Sequence, residues 1–210
     1  MPSASLPART PPPPPPSNLT LVTMPNPIAT FTTSEGVFKA EIFLEKLPVT
    51  SCNFIDLCNT GFYNGVHFHR VIDNFMLQFG CPYAKDAKSS KSGTGGPVPG
   101  STYQCNGKTI TRDKIEGCIP DELVDRTSNE IGTLSMANTG AKNSGGSQFF
   151  VNTVHNDFLD WFRPDLSESQ HPVFGKVVEG MDVVMKIGKV RCDSGDNPLK
   201  PVKMISITVA

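Results

Sequence analysis

Charge of one sign is missing from this sequence: 19 lysines and arginines face 20 aspartates and glutamates, and no run of five or six like charges occurs. Without a basic face there is no electrostatic footprint for nucleic acid or an anionic membrane, so proteins and peptides are the expected partners. Long hydrophobic runs are also missing. Nothing approaches the roughly 20 apolar residues that span a bilayer, and the N-terminus lacks the charged and apolar regions of a secretory signal. A soluble cytoplasmic chain is expected. The six cysteines, at positions 52, 58, 81, 105, 118 and 192, form no CxxC pair and are too sparse for a disulfide framework. Free thiols are expected, with Cys52 and Cys58 serving as small core residues. No GxSxG elbow, Walker loop, HExxH or strand-following GxGxxG occurs, which removes the common hydrolase and nucleotide-binding readings. His67 and His69 share a strand face, but no third ligand is spaced to join them, so no metal site is expected.

What is present divides into two parts. Residues 1–25 hold the Pro11–Pro16 run and no acidic residue, a composition that favours polyproline II and cannot bury a core. This segment is expected to be a disordered tail, either inert or a ligand for a proline-binding module. Residues 26–210 are expected to form one domain. They open with IATFTT and VFKAEIF around a Ser34-Glu35-Gly36 turn, a hairpin pattern. Pro48 sets a helical start, Phe54, Leu57 and Cys58 recur at helical spacing, and Gly61 supplies a stop. HFHRVI, FMLQFG, IGTLSMA, SQFFVNT, HPVFGKVV and VKMISITV read as further strands. Met181 to Ile187, closed by Gly188, reads as a second helix. Pro82 to about Asn129 reads as loop-rich. Eight strands and two helices without strand–helix alternation argue against a parallel sheet. A mainly β fold, a closed antiparallel eight-stranded barrel capped by two helices, fits best.

The run GVHFHRVIDNFMLQFG from Gly65, with SMANTG from Ser135 and GGSQFF from Gly145, closely resembles the cyclophilin family of peptidyl-prolyl cis-trans isomerases. The family's pattern falls on Phe68, His69, Arg70, Phe75, Met76 and Gln78, on Met136 to Asn138, and on Gly146 to Phe150. GTGG at Gly93, FLD at Phe158 and HPVFGKVVEGMDVV at His171 extend the likeness to about Asn26–Ala210.

The resemblance implies an enzyme that speeds rotation about X-Pro bonds of peptides and client proteins, with no cofactor and no metal, as a monomer. That rotation faces a barrier of about 18–20 kcal/mol set by amide resonance, and no proton has to move. A fixed donor to the twisted imide nitrogen and a pocket for the proline ring suffice. By resemblance Arg70 is the donor and Gln78 steadies it and the substrate carbonyl. Phe75, Met76, Phe150 and Leu159 form the proline pocket with His171 at its rim. Asn138 binds the peptide through its backbone, and Ala137, Thr139 and Gln148 line the neighbouring groove. His69 reads as structural. A catalytically silent peptide-binding module would be expected to have lost the donor or the pocket, and both are retained.

Three departures stand out. Gln78-Phe79-Gly80-Cys81 replaces the frequent QGGD, Phe158 stands where many members carry tryptophan, and the Tyr103–Asp125 and Asp160–Gln170 segments look longer than in compact relatives. Phe158 cannot donate the hydrogen bond that the indole gives cyclosporin, so weakened cyclosporin binding is expected, unless Trp161 fills the aromatic position.

Overall fold

The computed structural model describes residues 25–165 and 170–210. The expectations for the proline-rich tail, and for residues 166–169 of the Asp160–Gln170 segment, fall outside these residues. Strands β1 (Ile28–Thr33) and β2 (Gly36–Ile42) form the first hairpin, with Ala29, Phe31, Phe38, Ala40 and Ile42 turned inward by strict alternation. The turn is one residue tighter than expected, because Gly36, at φ 140°, already belongs to β2. Helix α1 (Pro48–Asn59) follows, with proline in its first turn and Gly61 just beyond it at φ 69°. Its first free N–H groups are capped from far along the chain: Val49 and Thr50 donate to the Glu122 carboxylate at 3.0 and 2.9 Å.

The remaining strands of the main sheet are β3 (Arg70–Ile72), β4 (Met76–Phe79), β7 (Thr133–Met136), β8 (Phe149–Asn152), β9 (Val173–Glu179) and β10 (Met204–Val209). They order as β10-β1-β2-β9-β7-β8-β4-β3, every pair antiparallel. The fold is the expected mainly β one, but "closed" overstates it. No strand ladder joins β3 to β10. The two edges meet where Phe68 N–H donates to Val202 and Met204 N–H donates to Val66, around a single His67–Lys203 bridge. β3 is only three residues long, so the closing bonds come from the segment ahead of it. Helix α2 (Met181–Gly188) retains Gly188 as its last residue, where a Cβ would sit 3.2 Å from Thr153. Close packing, and not a left-handed stop, is the role of that glycine. Among the described residues no helix is long and apolar enough to cross a membrane.

The interior is an aromatic cluster. The Phe149 ring meets Phe31, Phe54, Tyr63, Phe79 and Phe174 at centroid distances of 5.5–6.3 Å, mostly edge-on.

The Pro82–Asn129 region holds a second, two-stranded sheet that its composition did not announce: β5 (Thr102–Cys105) and β6 (Lys108–Thr111). Asn106 and Gly107 at its tip, with φ 49° and 73°, are the Asn-Gly pair that a tight hairpin favours. This arm is fastened to α1 by Arg112, which is buried. Its guanidinium donates to Asn53 at 2.8 Å, Ser101 at 3.0 Å and Asp56 at 2.6 Å, and lies 4.8 Å from the Tyr103 ring centre. Tyr103 and Cys105 add bonds to the Val49 and Pro48 carbonyls.

Replacing Arg112 with methionine should strand the Asn53 and Asp56 oxygens and cost about 3 kcal/mol, the lower end for a broken buried ion pair because Asp56 keeps some solvent. Urea unfolding reads this directly, and a loss below about 1 kcal/mol would show that the arm is held by its apolar contacts instead.

Candidate active site

Alternation along β3, β4 and β8 gives the sheet two different faces. Val71, Leu77, Phe79, Phe149 and Val151 point into the aromatic core. Arg70, Gln78 and Phe150 are directly opposed across the three strands and therefore share the outer face. Met76, two residues before Gln78, joins them. On this face Met76, Phe150 and Ala137 make a separate small apolar cluster, packed by Phe75, Ile72 and Leu159. His171 sets its ring edge-on against Phe150 at 5.4 Å. The residues expected to form the pocket are thus together in space.

Each wall has its own support. Thr153 N–H and Asn156 Nδ2 both donate to the Phe75 carbonyl at 3.0 Å. Leu159 rides on the short turn Asp157–Leu159, which ends at the buried Asp160. The Asp160 carboxylate accepts from Asn129 N–H at 2.7 Å, Asn129 Nδ2 at 2.9 Å and Ser128 Oγ at 2.6 Å. Asn152 Nδ2 reaches Thr133 at 2.9 Å and Ser135 at 3.3 Å, while Asn156 Nδ2 reaches Asn152 at 2.7 Å. These amides pave the outer sheet face beneath and beside the pocket. His171 Nδ1 donates to the Met136 carbonyl at 2.8 Å, and burial lowers its pKa, so the ring stands neutral.

Arg70 is half exposed, its Nε 3.6 Å from the Asp196 carboxylate. Gln78 meets it across the ladder and gives its amide to Gln148 at 3.1 Å, while Gln148 donates to the Gly93 and Gly95 carbonyls at 2.9 Å. Asn138 is steadied through its side chain, which donates to Gln170 at 2.6 Å and accepts from Gly140 at 3.0 Å. Phe158 stacks on Phe75 at 5.8 Å and is 49% exposed, at the open lip of the pocket. Trp161 does not take its place: the indole donates to the Asp125 carbonyl at 3.0 Å and packs edge-on against Phe162.

Beside the pocket lies a groove of about 710 Å³. Ala137, Thr139 and Gln148, which the resemblance puts in the groove, line it together with Gln78 and Asn138. Its far wall was not anticipated. Val98, Ile115 and Glu116, from the segment that carries the arm, complete it.

The profile described as cyclophilin type peptidyl-prolyl cis-trans isomerase matches residues 28–209. The chain belongs to the cyclophilin-type peptidyl-prolyl cis-trans isomerases. Among similar cyclophilins, peptidyl-prolyl cis-trans isomerase B of Escherichia coli is 37% identical over 87% of this chain and 99% of its own length. Peptidyl-prolyl cis-trans isomerase-like 1 of Aspergillus fumigatus is 37% identical over 85% of this chain and 92% of its own. The fold matches that of a Cryptosporidium parvum cyclophilin, with a TM-score of 0.70 at 23% identity over 89% of this chain and 98% of that one. The same parasite protein, solved in the presence of the dipeptide Ala-Pro, gives 0.68 at 24% identity over 87% and 98% of the two chains. The reaction of this cyclophilin is accordingly the cis-trans isomerisation of X-Pro bonds.

His69, next to Arg70, is buried with no hydrogen-bond partner for either ring nitrogen among the described residues. Burial first, and the neighbouring Arg70 charge second, push its pKa down from 6.5 to about 4. Well above pH 6.5 the imidazole is neutral whether the chain is folded or not, and contributes nothing to pH dependence. As pH falls from 6.5 toward 4, the unfolded chain takes up a proton that the folded site refuses. Stability should therefore decline across that window, by up to about 3 kcal/mol from this group. A His69→Gln variant should lose less stability than the parent on going from about pH 7 to about pH 4.5, read from urea midpoints. Equal losses would place the acid sensitivity elsewhere.

Proposed function

We propose that Arg70 stabilises the twisted imide while the Met76, Phe150 and Leu159 pocket holds the proline ring. The observation that carries this reading is the row Arg70–Gln78–Phe150, which sets one permanent cation beside an apolar pocket on a rigid sheet face. As the X-Pro bond twists, resonance is lost and the nitrogen lone pair localises. A guanidinium donor meets that lone pair only in the transition state, and this lowers the barrier without tightening the ground state. Gln78, held by Gln148, offers its amide oxygen to Arg70 and keeps the groove floor in place. Among the described residues neither main-chain group of Asn138 has a hydrogen-bond partner, which leaves both for the peptide backbone. Phe75 and His171 close the pocket laterally, and Ala137, Thr139 and Gln148 line the path of the flanking residues. The substrates are proline-containing peptides and exposed segments of client proteins, in folding or in conformational switching.

Arg70→Ala should lower kcat/KM on a short X-Pro peptide by about 10²–10³, as when one preorganised donor is removed, with the circular dichroism spectrum unchanged. Arg70→Lys should restore only part of the activity, because an ammonium lacks the planar fork. A folded Ala variant that isomerises at the parent rate would show that the donor lies elsewhere.

Phe158 touches Phe75 through its ring face and has no donor to offer a ligand. Cyclosporin should therefore bind weakly, and Phe158→Trp should tighten it by about tenfold, the equivalent of one added hydrogen bond. Peptide turnover should change less than about twofold, since the proline ring asks nothing of that donor. Low-nanomolar inhibition of the parent chain would refute this account of the lip.

A further inference from the structure

We infer that the segment carrying the arm makes the groove selective for substrates with a lysine or arginine close to the proline, read by Glu116 and the apolar side chains of Ile115 and Val98. This inference rests on the assignment of the proline pocket and groove given above.

The wall is built as a fixed surface. Its two ends are pinched together: a Cβ on Gly117, at φ 76°, would lie 2.2 Å from the Pro97 carbonyl oxygen. Between them, Gly100 N–H donates to the Asp113 carbonyl at 2.8 Å and Asp113 N–H to the Cys118 carbonyl at 2.9 Å. The Asp113 side chain then organises the lip. One carboxylate oxygen accepts from Ile115 N–H at 2.8 Å and Glu116 N–H at 2.9 Å, and the other accepts from Cys118 N–H. Backbone N–H groups aimed at it, those of Glu116 and Ile115 foremost, hold the Asp113 carboxyl below the usual carboxylate range, so the clamp stays charged at neutral pH.

What this clamp presents has no role in the core. Ile115 is 86% exposed and Val98 69% exposed, two apolar side chains held open at the edge of a groove that adjoins the pocket. Glu116 is the only carboxylate among the described residues that line the groove, and no lysine or arginine lines it. Glu116 has no ion pair among the described residues, and its carboxylate accepts only from the Cys118 thiol at 3.9 Å among the side-chain hydrogen bonds of these residues. Lys91 sets its ammonium 5.7 Å from the centre of the Tyr83 ring, an aromatic contact and not a carboxylate one. A lysine or arginine of the substrate fits this combination: its methylene stem lies along Val98 and Ile115 while its charged head reaches Glu116. An acidic side chain would meet like charge there.

The test is a set of X-Pro peptides that differ only in one residue near the proline, lysine, alanine or glutamate, turned over by the parent chain, Glu116→Gln and Glu116→Lys. The parent should favour lysine over alanine by about three- to fivefold in low salt, the range for a partly exposed ion pair, with glutamate last. The preference should vanish in Glu116→Gln, reverse toward glutamate in Glu116→Lys, and shrink in about 0.5 M NaCl. The alanine peptide is the reference within each protein, so that the preference is read as a ratio of rates and not as an absolute rate. Equal rates for the lysine and glutamate peptides in the parent, or a preference that survives Glu116→Gln, would overturn the inference while leaving the pocket assignment standing. Unchanged turnover in Arg70→Ala would instead remove the pocket assignment, and this inference with it.

Discussion

The Asp160 carboxylate, buried and fully engaged by Ser128 and Asn129, is the contact on which the active face depends. Three separate stretches of chain converge on it: the segment leading into β7, the turn that carries Leu159, and, through Asn129, the start of β9 at the His171 carbonyl, 3.4 Å away. The linked amides of Asn152 and Asn156 extend the same network to the Phe75 carbonyl. The pocket wall is thus assembled from side chains whose backbones are tied to one buried polar cluster. Such a cluster gives direction as well as strength, because an amide left without its partner in a buried site costs about 1–3 kcal/mol. Apolar packing alone would tolerate small slides of Leu159 or Phe75. Hydrogen bonds with fixed angles do not.

The sheet separates two tasks by its alternation. The inner side spends its residues on interlocked phenylalanines, and the outer side of the same strands carries a cation, an amide and a small apolar patch. Ser147 and Gly80 show how closely the two are joined: the serine hydroxyl donates to the Gly80 carbonyl at 2.7 Å, and no Cβ fits at Gly80, where it would lie 2.3 Å from the Ser147 oxygen. Chemistry that needs only orientation and a fixed charge is well served by a surface that cannot rearrange.

Much of this was legible in the sequence because it is local. The period-2 runs and Pro48 at the helix start each depend on neighbours along the chain, and the strands and helices followed from them; the pocket residues were instead expected from the likeness of the Phe68-His69-Arg70 and Phe75-Met76 runs to the cyclophilin pattern. Long-range features were not legible. Nothing near Pro48 reveals that Glu122 caps its helix, and nothing near Arg112 reveals that Asn53 and Asp56 await it. The barrel seam is another case, since a three-residue β3 offers no ladder to β10 and the closing bonds come from the residues ahead of β3, Val66 and Phe68. The arm is an instructive miss: its Asn-Gly turn was a local signal, but the surrounding glycines, prolines and lysines masked it as loop. His69, which reads as structural from the sequence, is buried, but among the described residues its ring nitrogens have no hydrogen-bond partner.

The pinch at Pro97 and Gly117 has a consequence for how such a protein can diversify. The roughly twenty residues between these points leave the main sheet and return to nearly the same spot, so their length and composition can vary without shifting the register of any strand that bears Arg70, Gln78 or Phe150. On the proposed assignments, recognition of the residues flanking the proline and catalysis at the bond would lie in separable pieces of chain. A change of hairpin would then alter the groove wall while leaving the strands that carry the proposed catalytic row in place.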